Sequence, residues 1–169
     1  MRVLHILQHV EREGPGLFKE IAEQKGFIIK IYRIDLGDNL PIVKKDDLIL
    51  ILGGPMGLED ISSGKFPWLK DEVNLIKKLM KDNIGILGVC LGSQLLAYAS
   101  GGKIEKLLGG KPLKVMPEVG WSEILINKES KYNQILKEPL YGLHWHSDRI
   151  ILPANAELIA SSKLCKEQL

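Results

Sequence analysis

The stretch from Ile84 to Gln94 constrains this chain more than any other. Ile84, Ile86, Leu87 and Val89 form an apolar run that reads as a buried strand, and Gln94-Leu95-Leu96-Ala97-Tyr98-Ala99 reads as a helix. Between them stands Gly88-Val89-Cys90-Leu91-Gly92, a G-x-C-x-G. A strand that turns sharply into a helix holds the residue at the turn in a strained pose, and flanking glycines let neighbouring backbone close around it. This is a nucleophile elbow with a thiol in place of a hydroxyl. The helix behind it points its first N–H groups and about half a positive charge at the sulfur. A thiol so placed can fall from a pKa of about 8.5 to roughly 3.5–7.5.

The residues before the elbow alternate strand and helix patterns. Arg2 to Leu7 is a short strand that ends in a polar loop over 8–16. Leu17-Phe18 and Ile21-Ala22 fall at helical spacing, and Gly26 closes that helix. Phe27 to Ile34 is a second strand, and Asp35 to Asp46 a loop with Gly37 and Pro41. Leu48-Ile49-Leu50-Ile51-Leu52 is a continuous apolar run, the pattern of a strand buried on both faces. Pro67 to Lys81 is amphipathic, with Leu69, Val73, Ile76, Leu79 and Met80 on one face. This alternation implies βαβ units and a mostly parallel sheet. Ligands collect at the carboxyl ends of such strands. Gly53-Gly54-Pro55-Met56-Gly57 and Cys90 both lie at such ends. The glycines there are either a plain turn or a place where backbone N–H groups approach a ligand. From Lys103 the strands shorten: 103–107, 120–126 and 142–152, with no long helix, read as an antiparallel addition.

Length and charge exclude several classes. A chain of 169 residues implies one domain. A net charge of +2 gives no reason to expect nucleic acid or an anionic membrane as partner. No apolar run reaches the length of a membrane span. Two cysteines, Cys90 and Cys165, are too few for a disulfide framework, which suits a reducing cytoplasm. No nucleotide-binding phosphate loop is present and no His/Cys cluster has metal-ligand spacing, so neither cofactor nor metal is expected.

A nucleophilic thiol needs a base within hydrogen-bond reach. The chain has four histidines. His5 lies inside the first strand as a core or edge residue. His9 lies just past that strand's carboxyl end, in a loop whose composition favours a solvated position, although it could line the cleft. His144-Trp145-His146-Ser147-Asp148 puts two histidines on one face of an extended segment. By composition alone His146 is the candidate base and Asp148 its orienter, or the segment is a strand end with ordinary polar decoration. Gln94, one turn into the elbow helix, either faces the cleft beside Cys90 or is exposed. Cys165 reads as structural or exposed.

Gly88-Val89-Cys90-Leu91-Gly92-Ser93-Gln94, after Leu52-Gly53-Gly54-Pro55-Met56-Gly57, resembles the class I (triad) glutamine amidotransferase domain. His9 to Gly16, Glu118-Val119-Gly120-Trp121, and His144 to Asp148 followed by Leu152-Pro153 resemble its stand-alone, GMP-synthase-like branch. The resemblance covers nearly the whole chain. It implies a flavodoxin-like three-layer α/β sandwich over residues 1–169, with a mostly parallel central sheet and a small antiparallel addition. It implies hydrolysis of the glutamine side-chain amide through a thioester at Cys90, an oxyanion hole at the N–H groups of Gly54 and Leu91, and glutamine-holding positions at Met56, Gln94, Trp145, Ser147 and Asp148. Glutamine is then the ligand, with a synthetase or acceptor-substrate protein as partner.

One departure accompanies these matches. The family's catalytic histidine lies in a later Gln-Phe-His-x-Glu segment, whereas this sequence reads Ala160 to Leu169 where the run leading to that segment is expected. The resemblance therefore implies a C-terminally shortened domain with impaired catalysis. The alternative is a non-catalytic relative that binds glutamine or a partner. A third reading is a thiol hydrolase of another kind using His146. A shortened sheet exposes an edge strand and apolar surface, which favours a homo-oligomer.

Overall fold

A computed structural model describes residues 2–136 and 139–169. They divide into two compact units, Met1–Ser100 and Gly101–Leu169.

The first unit contains β1 (Val3–Gln8), α1 (Leu17–Gln24), β2 (Ile28–Arg33), β3 (Leu48–Ile51), α2 (Asp60–Ser63), α3 (Trp68–Lys81), β4 (Gly85–Gly88) and α4 (Leu91–Ala99). Its sheet is four-stranded and wholly parallel, in the order β2-β1-β3-β4. That order is the start of a doubly wound sheet, in which the chain turns back beside its first strand. Period-two alternation assigns the faces. Leu7, Ile49 and Ile51 pack with Leu69, Val73, Ile76 and Leu79 of α3 and with Leu91 and Leu95 of α4. Leu4, Ile6, Leu50 and Leu52 face the other way, toward Ala22 of α1 and Phe27. The apolar run over 48–52 is thus covered on both faces, as its composition requires, and the unit is a helix–sheet–helix sandwich.

Most predicted elements stand where the patterns put them, with ends displaced by one or two residues; α4 begins three residues before Gln94, and the stretch over 142–152, read as one strand, is two strands broken at Ser147. The loop over 35–46 opens with a 3-10 turn, Ile34–Leu36, that ends on Gly37 at φ 90°. Among the described residues no helix is long and apolar enough to cross a membrane.

The second unit is antiparallel throughout. It contains β5 (Lys103–Lys106), β6 (Leu108–Gly109), β7 (Lys114–Val115), β8 (Glu118–Ile126), β9 (Leu140–His146), β10 (Asp148–Ile151) and β11 (Ala160–Ser161). Its sheets are β11-β8-β9, β10-β5 and β6-β7. The last residues fold back on β11: the Gln168 and Leu169 N–H groups donate to the Ala160 carbonyl at 3.0 and 3.2 Å. Arg149 of β10 grips Glu167 with both guanidinium arms, at 2.7–3.1 Å.

Candidate active site

Cys90 caps the N-terminus of α4 with φ 52° and ψ −113°, a left-handed conformation rare for a residue with a side chain. Such strain persists only where the surroundings over-determine it, and here they do. On the strand side, the Val89 N–H donates to the Ile51 carbonyl at 2.9 Å and the Gly92 N–H to the Leu52 carbonyl at 3.2 Å. On the helix side, the Ser93 and Gln94 N–H groups and the Ser93 hydroxyl all donate to the Cys90 carbonyl, at 3.0, 3.1 and 2.7 Å. The glycines on either side are sterically required. A Cβ on Gly88 would lie 2.5 Å from the Gly92 carbonyl group, and one on Gly92 would overlap the Ile51 carbonyl oxygen. The thiol is exposed at the end of this clamp.

The glycine loop after β3 meets the elbow. A Cβ on Gly53 would lie 3.3 Å from the Cys90 Cβ and 3.8 Å from its Sγ. One on Gly54 would lie 3.2 Å from Leu91 Cδ2 and 3.1 Å from Met56 Sδ. Five sequence-nominated features therefore share one place: Gly53, Gly54, Met56, Cys90 and Leu91. Leu91 is the first residue of α4, so its N–H has no acceptor within the helix. Gln94 is half-buried one turn further on. Met56 is buried against the core. The Glu13 carboxylate, from the loop after β1, reaches the same glycine, with Oε2 2.8 Å from the position of a Gly53 Cβ.

His9 corrects the expectation of a solvated loop residue. It is wholly buried. Its Nδ1–H donates to the Gly53 carbonyl at 2.9 Å, its Nε2 lies 3.1 and 3.2 Å from the two Glu72 oxygens, and its ring stacks on Trp68 at 5.2 Å. Burial by itself lowers a histidine pKa. The hydrogen bond and charge of Glu72, helped by the Gly53 and Leu52 carbonyls, outweigh it and leave His9 raised above the usual 6.5. Reading the residues in order missed this pair, because Glu72 interrupts an apolar helix face and lies 63 positions from its partner. A carboxylate among Leu69, Val73 and Ile76 was the signal that could have found it.

In the second unit, Trp145 is exposed on β9, opposite Val119. Ser147 joins β9 to β10, and its carbonyl accepts from the Leu107 N–H at 2.8 Å. The Asp148 carboxylate pairs with Lys106 Nζ at 2.7 Å. Asp148 is thus not the orienter of His146: the His146 Nδ1–H donates to the Asp148 backbone carbonyl, at 2.8 Å. His146 Nε2 faces Glu118 Oε2 at 3.1 Å, and His144 Nδ1 faces the same oxygen at 3.3 Å. Gln168 Nε2 donates to that oxygen at 2.6 Å and lies 3.2 Å from His146 Nε2. Linear spacing hid this cluster, since Glu118 is 28 positions from His146. His5 is buried as expected, between Tyr32 Oη at 3.0 Å and Asp47 at 3.3 Å.

The family model described as glutamine amidotransferase class-I matches residues 17–167. The glutamine amidotransferase-like protein YfeJ of Salmonella typhimurium is 30% identical over the whole of this chain, which spans 70% of its length. The glutamine-hydrolyzing GMP synthase of Saccharolobus solfataricus has a subunit that is 28% identical over 75% of this chain and 60% of its own length. A crystal structure of a glutamine amidotransferase from Thermotoga maritima superposes with a TM-score of 0.85 at 28% identity, over 99% of this chain and 70% of that one.

Proposed function

Because the chain belongs to the class-I glutamine amidotransferase family, we propose that it binds glutamine and attacks the side-chain amide with Cys90. The Cys90 sulfur bonds to the amide carbon, and the carbonyl oxygen becomes an oxyanion held by the N–H groups of Gly54 and Leu91. The carbon–nitrogen bond then breaks, and ammonia leaves with the proton it gains. Water hydrolyses the γ-glutamyl thioester and frees glutamate. Met56 and Gln94 hold the glutamine, and family resemblance gives the same role to Trp145, Ser147 and Asp148. Residues 1–169 act as one amidotransferase domain of the GMP-synthase-like branch. It works in the cytoplasm and passes ammonia to a synthetase or acceptor-substrate protein.

The observation that carries this reading is the convergence of Gly53 and Gly54 on a strained, exposed Cys90 at a helix N-terminus. It is tested by ammonia release from glutamine and by intact mass after incubation with glutamine. The expected result is a γ-glutamyl adduct in the wild type and none in Cys90→Ala. No adduct, with no glutamine binding, removes the proposal.

A second reading has its own support. All four histidines have other partners: His5 with Tyr32 and Asp47, His9 with Gly53 and Glu72, and His144 and His146 with Glu118. That commitment favours slow turnover, and in the limit a protein that binds glutamine without hydrolysing it. Glutamine binding without ammonia release would select this reading.

A further inference from the structure

We propose that Glu118, His144 and His146 bind one divalent transition-metal ion of the zinc type. The inference does not rest on the glutamine reading. It starts from register. β8 and β9 are antiparallel, with Glu118 opposite His146 and Gly120 opposite His144. Side chains two apart on a strand share a face, and directly opposed residues share it too. Glu118, His144 and His146 therefore project from one face of the ribbon, while Val119, Trp121, Leu143 and Trp145 occupy the other, exposed face.

The spacing suits a metal. One ligand atom from each of the three residues lies within 4.8 Å of the others. Glu118 Oε2 stands 3.3 Å from His144 Nδ1 and 3.1 Å from His146 Nε2. An ion bound tetrahedrally at roughly 2.0–2.2 Å holds its ligand atoms roughly 3.3–3.6 Å apart. Glu118 and His144 are both buried, at 5% and 4% exposure, so water competes weakly for the position.

The polarity asks for positive charge. His146 gives its Nδ1–H to the Asp148 carbonyl, so in the neutral ring Nε2 carries the lone pair. That nitrogen faces a carboxylate oxygen at 3.1 Å, so a cation or a proton belongs between the two. A histidine whose far nitrogen is tied to a backbone carbonyl is the usual form of a metal-ligating histidine. His144 Nε2 is buried with no hydrogen-bond partner among the described residues, so the ring's polar contact is the one its Nδ1 makes with Glu118 Oε2 at 3.3 Å. Among the described residues, the Gln168 amide nitrogen is the one donor set against both Glu118 Oε2 and His146 Nε2. An ion among the three ligand atoms displaces that amide nitrogen and leaves a fourth position open to water. Two imidazoles and one carboxylate select zinc, cobalt or nickel over calcium or magnesium, which prefer all-oxygen shells.

The test is equilibrium dialysis of the full chain with zinc, and with cobalt followed by visible absorption, after treatment with a chelator. One zinc per chain is expected, with the intense visible bands of tetrahedral cobalt. Glu118→Gln and His144→Ala should each weaken binding by about tenfold or more. The double variant Cys90→Ser/Cys165→Ser should bind as the wild type does. Circular dichroism without metal establishes that each variant is folded. Substoichiometric zinc on the wild type overturns the site, and that arm needs no variant. So does zinc lost with the cysteines, or a cobalt spectrum of octahedral form.

Discussion

The Nδ1–H of His9 donates to the carbonyl of Gly53 across 2.9 Å, from the end of one central strand to the loop after the next. The other ring nitrogen is held by Glu72 on α3, and Trp68 covers the face of the ring. A helix, a strand end and the glycine loop are thereby joined through one imidazole. A side chain on Gly53 would meet the Cys90 Cβ at 3.3 Å. His9 thus ties down the glycine loop that lies beside Cys90.

Removing one partner of this buried pair should be costly, because the other is left charged and unpaired. His9→Ala or Glu72→Ala is expected to cost about 3–5 kcal/mol, measured by urea unfolding. The double variant His9→Leu/Glu72→Leu should recover part of that loss. The pH dependence has a definite sign. His9 is raised in the folded state, so its contribution is fully present below the unfolded value near 6.5 and is lost as pH rises through the folded value. Stability should therefore decline as pH rises above about 6.5, and Glu72→Gln should flatten that decline. A wild-type curve that rises over this range would contradict the assignment.

Cys90 should be alkylated before Cys165. Cys90 is exposed at a helix N-terminus, whereas Cys165 is 1% exposed and burial pushes its thiol up. Brief iodoacetamide treatment and peptide mass spectrometry decide the order, with urea-unfolded protein as the control in which both react. Labelling of Cys165 first in the native protein would mean that the elbow is closed to solvent.

The sheet and the elbow were legible because their signals are local. A five-residue apolar run and a glycine on each side of a cysteine need no knowledge of distant residues. What was not legible depends on pairings across the chain. Glu72 goes unremarked beside the apolar face of α3, yet it is the buried partner of His9. Asp148 read as the partner of His146 through its carboxylate, yet its backbone carbonyl takes that bond and Lys106 takes the carboxylate. The Glu118 cluster depends on the register between β8 and β9, which the connection over 127–139 does not specify.

The glycines around Cys90 should separate into fold and site. A methyl on Gly92 overlaps the Ile51 carbonyl oxygen, part of the backbone that carries the sheet. Gly92→Ala is expected to lose about 3 kcal/mol or more. Gly54 has no left-handed φ, so a side chain there is resisted by contacts alone. Those are Met56 Sδ at 3.1 Å, with His9 Cβ and Leu91 Cδ2 at 3.2 Å, and the thioether can turn aside. Gly54→Ala should cost about 1 kcal/mol while weakening glutamine binding. Thermal midpoint and binding are measured on both variants. A larger stability loss at Gly54 than at Gly92 would make the loop glycine purely structural.

Ammonia release should be slow and should respond to added base. Removing the histidine from an acyl-transfer triad costs about a million-fold in turnover, while oxyanion-hole donors and binding preserve a residual rate. His9 is spent on Gly53 and Glu72, and its burial removes it from solvent. His146 has Nδ1 on the Asp148 carbonyl and Nε2 on Glu118. Cys90 is exposed, so a small base from solution can reach it. Imidazole in the assay should therefore raise the rate of ammonia release in proportion to its concentration, and Cys90→Ala should show neither the basal rate nor the rise. Fast release without imidazole would show that a base is already in place. A loss of that rate in a folded His146→Ala variant would identify it.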